Sequence, residues 1–312
     1  MQLGMIGLGK MGGNMAARLR RSGIEVVGYN RDAGRTEALA SEHGLVAAAS
    51  VDDLVSKLAA PRLVWLMVPA GDATEDLVQA LSHRLAAGDV LVDGGNSWYR
   101  DSVRRGKGLE NHGIDFVDAG VSGGVWGLEN GYALMIGGPG PALERLRPVI
   151  ESLAPAPDRG WIHTGPTGSG HFVKMIHNGI EYGLMQAYAE GFALMRARED
   201  WQLDLAGIAE SWRHGSVVRS WLLDLTAGFL AGDQALERVE PVVADSGEGR
   251  WTALEAIELG VPAPVIQAAL ATRFASQGSG DFEAKLLAMM RRAFGGHAIH
   301  EGAAGRDSKL PD

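Results

Sequence analysis

The sequence predicts an α/β N-terminal domain of the doubly wound, Rossmann-like class followed by an all-α C-terminal domain. Three observations carry that prediction. The first half alternates short β-rich apolar runs with helix-length segments, a glycine-rich turn follows the first run, and strand signals stop after residue 168 while helical periodicity continues.

The apolar runs at residues 3–6, 25–29, 63–68, 90–93, 116–118 and 132–136 read as strands, each closed by Gly, Pro or polar residues. Their alternation with helical segments argues for a mainly parallel sheet. A Pro- and Gly-rich stretch at residues 153–168 interrupts the pattern. It sets the boundary between an N-terminal α/β domain, residues 1–166, and a helical C-terminal domain, residues 167–312. Residues 170–198 read as one long helix, more helices follow to the region of Phe294, and the small, polar tail 302–312 reads as disordered.

A chain of 312 residues exceeds what one compact core usually holds, so two domains are the default. The balance of 29 Lys plus Arg against 38 Asp plus Glu gives a net charge of -9, which opposes general binding to nucleic acid or anionic membranes. An anionic ligand therefore needs a local basic site. The absence of cysteine excludes disulfides, thiolate metal sites and cysteine nucleophiles, and fits a reducing cytoplasm. The segment Met1 to Gly7 shows no basic region ahead of an apolar core, and no apolar run approaches the ~20 residues that span a bilayer. The expectation is a cytoplasmic protein without a membrane partner.

Gly7-Leu8-Gly9-Lys10-Met11-Gly12 matches the fingerprint in which backbone amides and a helix N-terminus receive a pyrophosphate. With 44 glycines in the chain the pattern alone is weak; its position after the first strand and ahead of a helix and second strand gives it weight. At the end of that second strand stands Tyr29-Asn30-Arg31-Asp32. Asn30 occupies the place of the acid that selects NAD, and Arg31 can stack on adenine or hold a 2′-phosphate, whereas Asp32 would repel phosphate if it pointed inward. The set favours NADP over NAD, with a solvated loop cation as the plain reading of Arg31. Met67, Val68 and Pro69, at the end of the third strand, and Asn96 complete the expected cofactor-binding residues.

Lys174, His177, Asn178 and Glu181 stand at i, i+3, i+4 and i+7, so a helix puts them on one face. Val173, Met175, Ile176, Ile180 and Leu184 fill the other faces, which predicts a helix enclosed on most sides and a polar stripe lining a cavity. A semi-buried Lys can serve as a base and a Glu there can donate a proton. The two lie about 10 Å apart along the helix axis, within convergent reach of one substrate. The plainer alternative is an exposed face held by a weak Asn178–Glu181 or Lys174–Asn178 bond.

These motifs resemble those of the 6-phosphogluconate dehydrogenases, in their shorter bacterial form. The resemblance runs from the N-terminal glycine motif through Asp93-Gly94-Gly95-Asn96-Ser97, Val121-Ser122-Gly123-Gly124, the helix Lys174 to Tyr182 and Gly249-Arg250-Trp251-Thr252 to Phe294-Gly295-Gly296-His297. It implies Lys174 as general base and acid, Glu181 as proton donor, and His177 and Asn178 as substrate-positioning residues. It further implies Ser122, Gly123 and Gly124 at the carboxylate end, Asn96 between substrate and nicotinamide, and Tyr182 and Arg273 on the substrate phosphate. Arg291 and His297 resemble a pair that reaches into a neighbouring subunit's site, which implies a homodimer or a dimer of dimers with shared sites.

The implied reaction is oxidation and decarboxylation of 6-phosphogluconate to ribulose 5-phosphate with reduction of NAD(P). No metal is expected, since the nine histidines are scattered and show no ligand spacing. The chain departs from longer family members in two ways. Asp245-Ser246-Gly247-Glu248 occupies a stretch where those carry a phosphate-binding Lys, and 312 residues leave no room for their second helical block. The competing readings are a 3-hydroxyisobutyrate-type dehydrogenase, with the same fold and Lys but no decarboxylation, and a dinucleotide sensor without turnover.

Overall fold

The structure, a computed structural model, describes residues 1–295 and 298–300. The chain divides into two compact units, residues 1–178 and residues 179 onward.

In the first unit, strands β1 (Gln2–Ile6), β2 (Glu25–Tyr29), β3 (Val46–Ala47), β4 (Leu63–Leu66), β5 (Val90–Asp93), β6 (Asp115–Ser122), β7 (Ala133–Gly137) and β8 (Trp161–Gly165) form one sheet. Their order is β3-β2-β1-β4-β5-β6-β7-β8, and every neighbouring pair is parallel except β6 with β7. Helices α1 (Lys10–Arg21), α2 (Ala33–His43), α3 (Val51–Lys57), α4 (Asp72–Ser82), α5 (Tyr99–Glu110), the single turn α6 (Gly127–Asn130) and α7 (Gly140–Leu153) connect the strands.

The sheet is covered on both faces, which is why β4 and β5 are apolar at nearly every position and fully buried. Alternate side chains part company: Leu3, Met5, Trp65 and Val92 join Met15, Leu19 and Leu146, whereas Ile6, Val64, Leu66 and Leu91 join Leu54, Leu81 and Leu109. Since β1 lies between β2 and β4, the connections leave it in opposite directions. The crevice beyond the C-terminal ends of β1 and β4 is thus the topological switch point, where open α/β sheets bind ligands.

The predicted strands are present with changed limits. β4 ends at Leu66, so Met67 and Val68 belong to the loop beyond it, and β6 runs on to Ser122. Two strands escaped the sequence pattern. β3 has two residues, and β8 is an edge strand whose Ile162 is 58% exposed between Trp161 and His163, so it lacks the apolar run of an inner strand.

The last helix to enter this unit, α8 (Ser169–Arg196), is seated on β6 and β7 by glycines. A Cβ on Gly120 would lie 2.4 Å from Lys174 Cβ, one on Gly170 would lie 2.4 Å from the Asp118 carbonyl oxygen, and one on Gly137 would lie 2.7 Å from Gly170 N. Backbone approaches backbone here without a side chain between them. The buried Asp118 carboxylate accepts the Gly168 N–H at 2.6 Å and the His171 N–H at 2.7 Å, taking up donors that a helix start leaves unpaired.

In the second unit the rest of α8 is followed by α9 (Leu205–Trp212), α10 (Trp221–Gly232), α11 (Glu248–Glu258), α12 (Pro264–Ser276) and α13 (Asp281–Gly295), with no strand among its described residues. Leu205, Ala209, Leu223, Ala227 and Leu230 pack with Tyr188 and Phe192 in one small core, and Tyr182, Ala269 and Leu270 with Phe274 in another. Much apolar surface stays outside them, including Leu194, Ile257, Val265 and Phe282. The expectation that α8 is enclosed on most sides is therefore corrected. Met175 is buried, but Val173, Ile180 and Leu184 are exposed, because the apolar periodicity exceeds what the chain's own helices cover. Among the described residues no helix is long and apolar enough to cross a membrane. His297 and the tail 302–312 lie outside the described residues.

The seating of α8 predicts that Gly120→Ala costs about 1–3 kcal/mol, since the added methyl meets a Cβ fixed by the helix backbone. Denaturant midpoints at constant m-value measure it, and an unchanged midpoint would contradict the close packing.

Candidate active site

The glycine loop has the form that a pyrophosphate needs. Gly7 has φ +92, and a Cβ there would lie 2.3 Å from the Met67 carbonyl oxygen. On Gly12 it would lie 2.0 Å from the Gly7 carbonyl oxygen, whereas on Gly9 it would meet nothing within 4 Å. Two glycines thus close the turn, and the third leaves open space at the N-terminus of α1, where no side chain caps the helix. Those amides and the helix dipole suit an anion, so the residues present fit a dinucleotide. Lys10 is exposed and Met11 half-buried at the same helix start.

Leu8 has its side chain in the core, its amide donating to Asn30 Oδ1 at 3.1 Å and its carbonyl accepting from Arg35 Nε at 3.0 Å. Leu8 and Asn30 therefore shape the loop. Asp32 caps α2 by accepting the Arg35 N–H, which spends one of its carboxylate oxygens away from the loop. Arg31 is exposed and makes no hydrogen bond or ion pair among the described residues.

The end of β5 lies next across the sheet. A Cβ on Gly95 would lie 2.7 Å from the Val68 carbonyl oxygen, which places the 67–68 loop between Gly7 and the turn carrying Asn96. Val68 is half-buried, and Pro69, exposed, accepts the Thr74 hydroxyl at 2.8 Å through its carbonyl. The Asn96 turn is held from beneath by buried Asp93, which accepts Gly95 N–H at 3.0 Å, Ser97 Oγ at 2.7 Å and Arg105 Nη1 at 3.2 Å. Arg105 also donates to Glu75, whose carboxyl the Arg104 guanidinium, helped by Arg105, holds down at about 2. Asp93 stood out only as part of its motif, and its pairing with Arg105 did not, because a buried pair 12 residues apart has no periodic signature.

Lys174, one turn into α8, is 9% exposed, with Nζ 3.3 Å from His177 Nδ1. His177 Nδ1 also lies 3.2 Å from Asn178 Oδ1, and its Nε2 lies 3.4 Å from Ser122 Oγ at the end of β6. Asn178 Nδ2 reaches Asn96 Oδ1 at 3.5 Å. Contacts thus run without a break from the glycine loop through the 67–68 loop and Asn96 to Lys174. Gly123 (φ +144) and Gly124 (φ +54) turn the chain away after Ser122 into a short 3-10 turn, so this motif ends a strand in the site. Burial pushes the Asp118 carboxyl beneath α8 up from its usual value, against the opposing pull of His171 and the backbone amides. Among the described residues no cluster of His, Asp and Glu forms a metal site.

In the second unit Glu181 is half-buried on α8, next to Tyr182, which is buried. Gly249 and Gly179 explain part of the Gly-Arg-Trp-Thr motif: a Cβ on Gly249 would lie 2.4 Å from the Tyr182 ring, and one on Gly179 would lie 2.7 Å from Thr252 Cγ2. The Arg273 guanidinium stacks 3.6 Å over the Tyr182 ring, which unites those two predicted phosphate ligands. Sequence reasoning named Asp245 and Arg250 in separate motifs and missed their pairing. Asp245 accepts the Tyr182 hydroxyl at 3.5 Å and pairs with Arg250. Burial works to raise the Asp245 carboxyl, and the Arg250 guanidinium and the Gly247 N–H outweigh it, so its pKa lies below the usual carboxylate range. Arg291 is exposed on α13.

The contrast between the glycines is testable. Gly9→Ala should leave the denaturation midpoint unchanged and weaken dinucleotide binding about tenfold or more, the scale of lost charge-assisted amide bonds. Gly12→Ala should lower the midpoint itself. Calorimetric titration and denaturant melts on the two variants check this, and equal effects from both would contradict it.

Residues 2–165 match the model of the NAD binding domain of 6-phosphogluconate dehydrogenase, and residues 170–291 match that of the 6-phosphogluconate dehydrogenase C-terminal domain. The NAD(+)-dependent, decarboxylating 6-phosphogluconate dehydrogenase of Haloferax volcanii is 44% identical over 300 residues, which cover 96% of this chain and 98% of that protein. The NADP(+)-dependent, decarboxylating enzyme of Bacillus subtilis is 37% identical over 287 residues, 88% of this chain and 61% of that one. Among solved structures, 6-phosphogluconate dehydrogenase of Plasmodium falciparum, studied with its cofactor NADP+ and its substrate 6-phosphogluconate, aligns with a TM-score of 0.81 at 32% identity. That alignment covers 97% of this chain and 67% of that one. With both of its halves matched and a relative of its own length this similar, the chain belongs to the 6-phosphogluconate dehydrogenase family.

Proposed function

We propose that this protein oxidises and decarboxylates 6-phosphogluconate to ribulose 5-phosphate and carbon dioxide, with reduction of NAD(P), in the cytoplasm. The observation that carries the reading is the buried Lys174, linked through His177 to Ser122 and Asn178 and onward to Asn96. A nicotinamide dinucleotide, when bound, supplies the hydride acceptor.

In the reaction Lys174 takes the proton of the carbon-3 hydroxyl as hydride leaves that carbon. The protonated lysine then hydrogen-bonds the new carbonyl, so that the electrons released by loss of the carboxylate collect there as an enediol. Glu181 delivers the proton to carbon-1. Ser122, with Gly123 and Gly124, positions the carboxylate end, and His177 and Asn178 orient the hydroxyl that reacts. Tyr182 and Arg273 take the phosphate. A 3-hydroxyisobutyrate-type substrate has no use for the Glu181 proton or for the Arg273 cation.

NADP is the favoured cofactor in this reading. Asn30 offers a neutral side chain where an acid would exclude the 2′-phosphate, Asp32 is occupied in capping α2, and Arg31 is exposed nearby. Homodimers, or dimers of dimers, with Arg291 and His297 completing the neighbour's site, are also part of the proposal. The broad apolar surface of the helical unit supports such an assembly.

Lys174→Met should lower kcat by about 10²–10⁴ with oxidation itself blocked, and Glu181→Gln should slow the protonation of the enediol instead. Wild-type turnover in both variants would overturn the assignment. Mixed with an Arg291→Ala, His297→Ala protein, the Lys174→Met protein should regain activity if sites are shared, and subunit exchange without recovery contradicts sharing. For the cofactor, Arg31→Ala should lower the ratio of specificity constants for NADP over NAD about tenfold, on the scale of one charged hydrogen bond. An unchanged ratio removes Arg31 from the site.

A further inference from the structure

Ser246 stands in the stretch where the resemblance implies a phosphate-binding lysine, and no lysine lies between Pro241 and Thr252. Ser246 Oγ donates at 2.6 Å to Oε2 of Glu248, the first residue of α11. Resting on the substrate reading above, a phosphoryl dianion held by Arg273 and Tyr182 thus has only one cation from the chain that holds it, besides the Arg291 proposed to come from a neighbouring copy, on a chain whose net charge is -9. A single guanidinium neutralises only part of such a group.

We propose that Arg250 is a second cation from the same chain, aimed by Asp245 and paired with Arg273 as a two-arginine clamp on the substrate phosphate. Four observations converge on it. Arg273 Nη1 donates to the Ala244 carbonyl at 2.8 Å and Arg250 Nε donates to Asp245, so both guanidiniums are tied to consecutive residues. Each is stacked on an aromatic face, Arg273 over Tyr182 at 3.6 Å and Arg250 over Phe274 at 4.5 Å, which fixes the plane of a fork that binds phosphate in a bidentate manner. The Asp245 side chain is 3% exposed and that of Arg250 56%, so the carboxylate is an internal anchor and the cation faces solvent. Both Nη nitrogens of Arg250 make no hydrogen bond among the described residues.

The charges also favour it. Arg250, Arg273 and the buried Asp245 together carry a net positive charge, and the neighbouring Glu248 carboxylate accepts from Ser246 Oγ. Asp245 is met in addition by the Gly247 N–H at 3.1 Å and the Tyr182 hydroxyl at 3.5 Å. The last of these is long, so the hydroxyl can turn to a phosphate oxygen with little loss. Asp245 is a positioning residue here, acting through Arg250.

The test compares 6-phosphogluconate with unphosphorylated gluconate in steady-state kinetics. Arg250→Ala should raise KM for 6-phosphogluconate about 10- to 100-fold, the scale of one charge-assisted contact, with kcat changed far less. The preference for 6-phosphogluconate over gluconate should fall by the same factor, and Arg250→Lys, which keeps the charge, should recover part of it. A drop of both substrates' specificity constants together would assign Arg250 a structural role and overturn the proposal. So would recovery of the preference in the double variant Asp245→Asn, Arg250→Gln, since Arg250 would then serve only to neutralise Asp245. A wild-type enzyme without preference for the phosphorylated acid overturns the substrate reading itself, and the inference with it.

Discussion

The arrangement depends on one contact, the buried Asp118 carboxylate taking two backbone amides from the start of α8. Any helix begins with unpaired donors, and here a strand supplies their acceptor from 50 residues away. The bond places the helix end directly on β6, and Gly120, Gly137 and Gly170 allow an approach that any Cβ would prevent. Lys174 is thereby held one turn into the helix, over the end of the strand that presents Ser122. The helix that carries Lys174 is thus positioned by backbone hydrogen bonds and close packing rather than by long side chains.

A second constraint works beside the first. The order of strands puts the glycine loop after β1 and the 67–68 loop after β4 on either side of the switch point, with the Asn96 turn after β5 next to them. Buried Asp93 and Arg105 stiffen that turn from below, at the desolvation cost that a buried ion pair carries. The structure thus joins the glycine loop to the Lys174, His177 and Asn178 cluster through turns that buried hydrogen bonds and close backbone contacts hold in place. The proposed hydride transfer and its base require such pre-organisation.

Local pattern and distant contact divide what the sequence made legible. The glycine fingerprint was readable because strand, turn and helix follow in order, and the stripe Lys174, His177, Asn178, Glu181 was readable because helical spacing alone puts it on one face. The roles of Asp118, Asp93 and Arg105 were not, since each matters through a partner that only folding brings near. β8 was missed because its exposed Ile162 and polar His163 and Thr164 hide the strand signal, and β3 is too short to give one. The covering of α8 was overestimated for a related reason. Apolar periodicity shows that a face wants burial, and it does not say whether the chain's own residues supply it. In the segment 245–250 the departure from the family pattern was visible, whereas the pairing of Asp245 with Arg250 was not.

The central claim is that the Lys174 cluster performs an oxidation whose product is decarboxylated in the same site. The most direct measurement is the release of carbon dioxide from 6-phosphogluconate labelled at carbon-1, followed together with reduction of the cofactor. One equivalent of labelled carbon dioxide for each cofactor reduced, with ribulose 5-phosphate as the remaining product, is the predicted result. Cofactor reduction with the label retained in a non-volatile acid would contradict it and make the protein a simple hydroxyacid dehydrogenase.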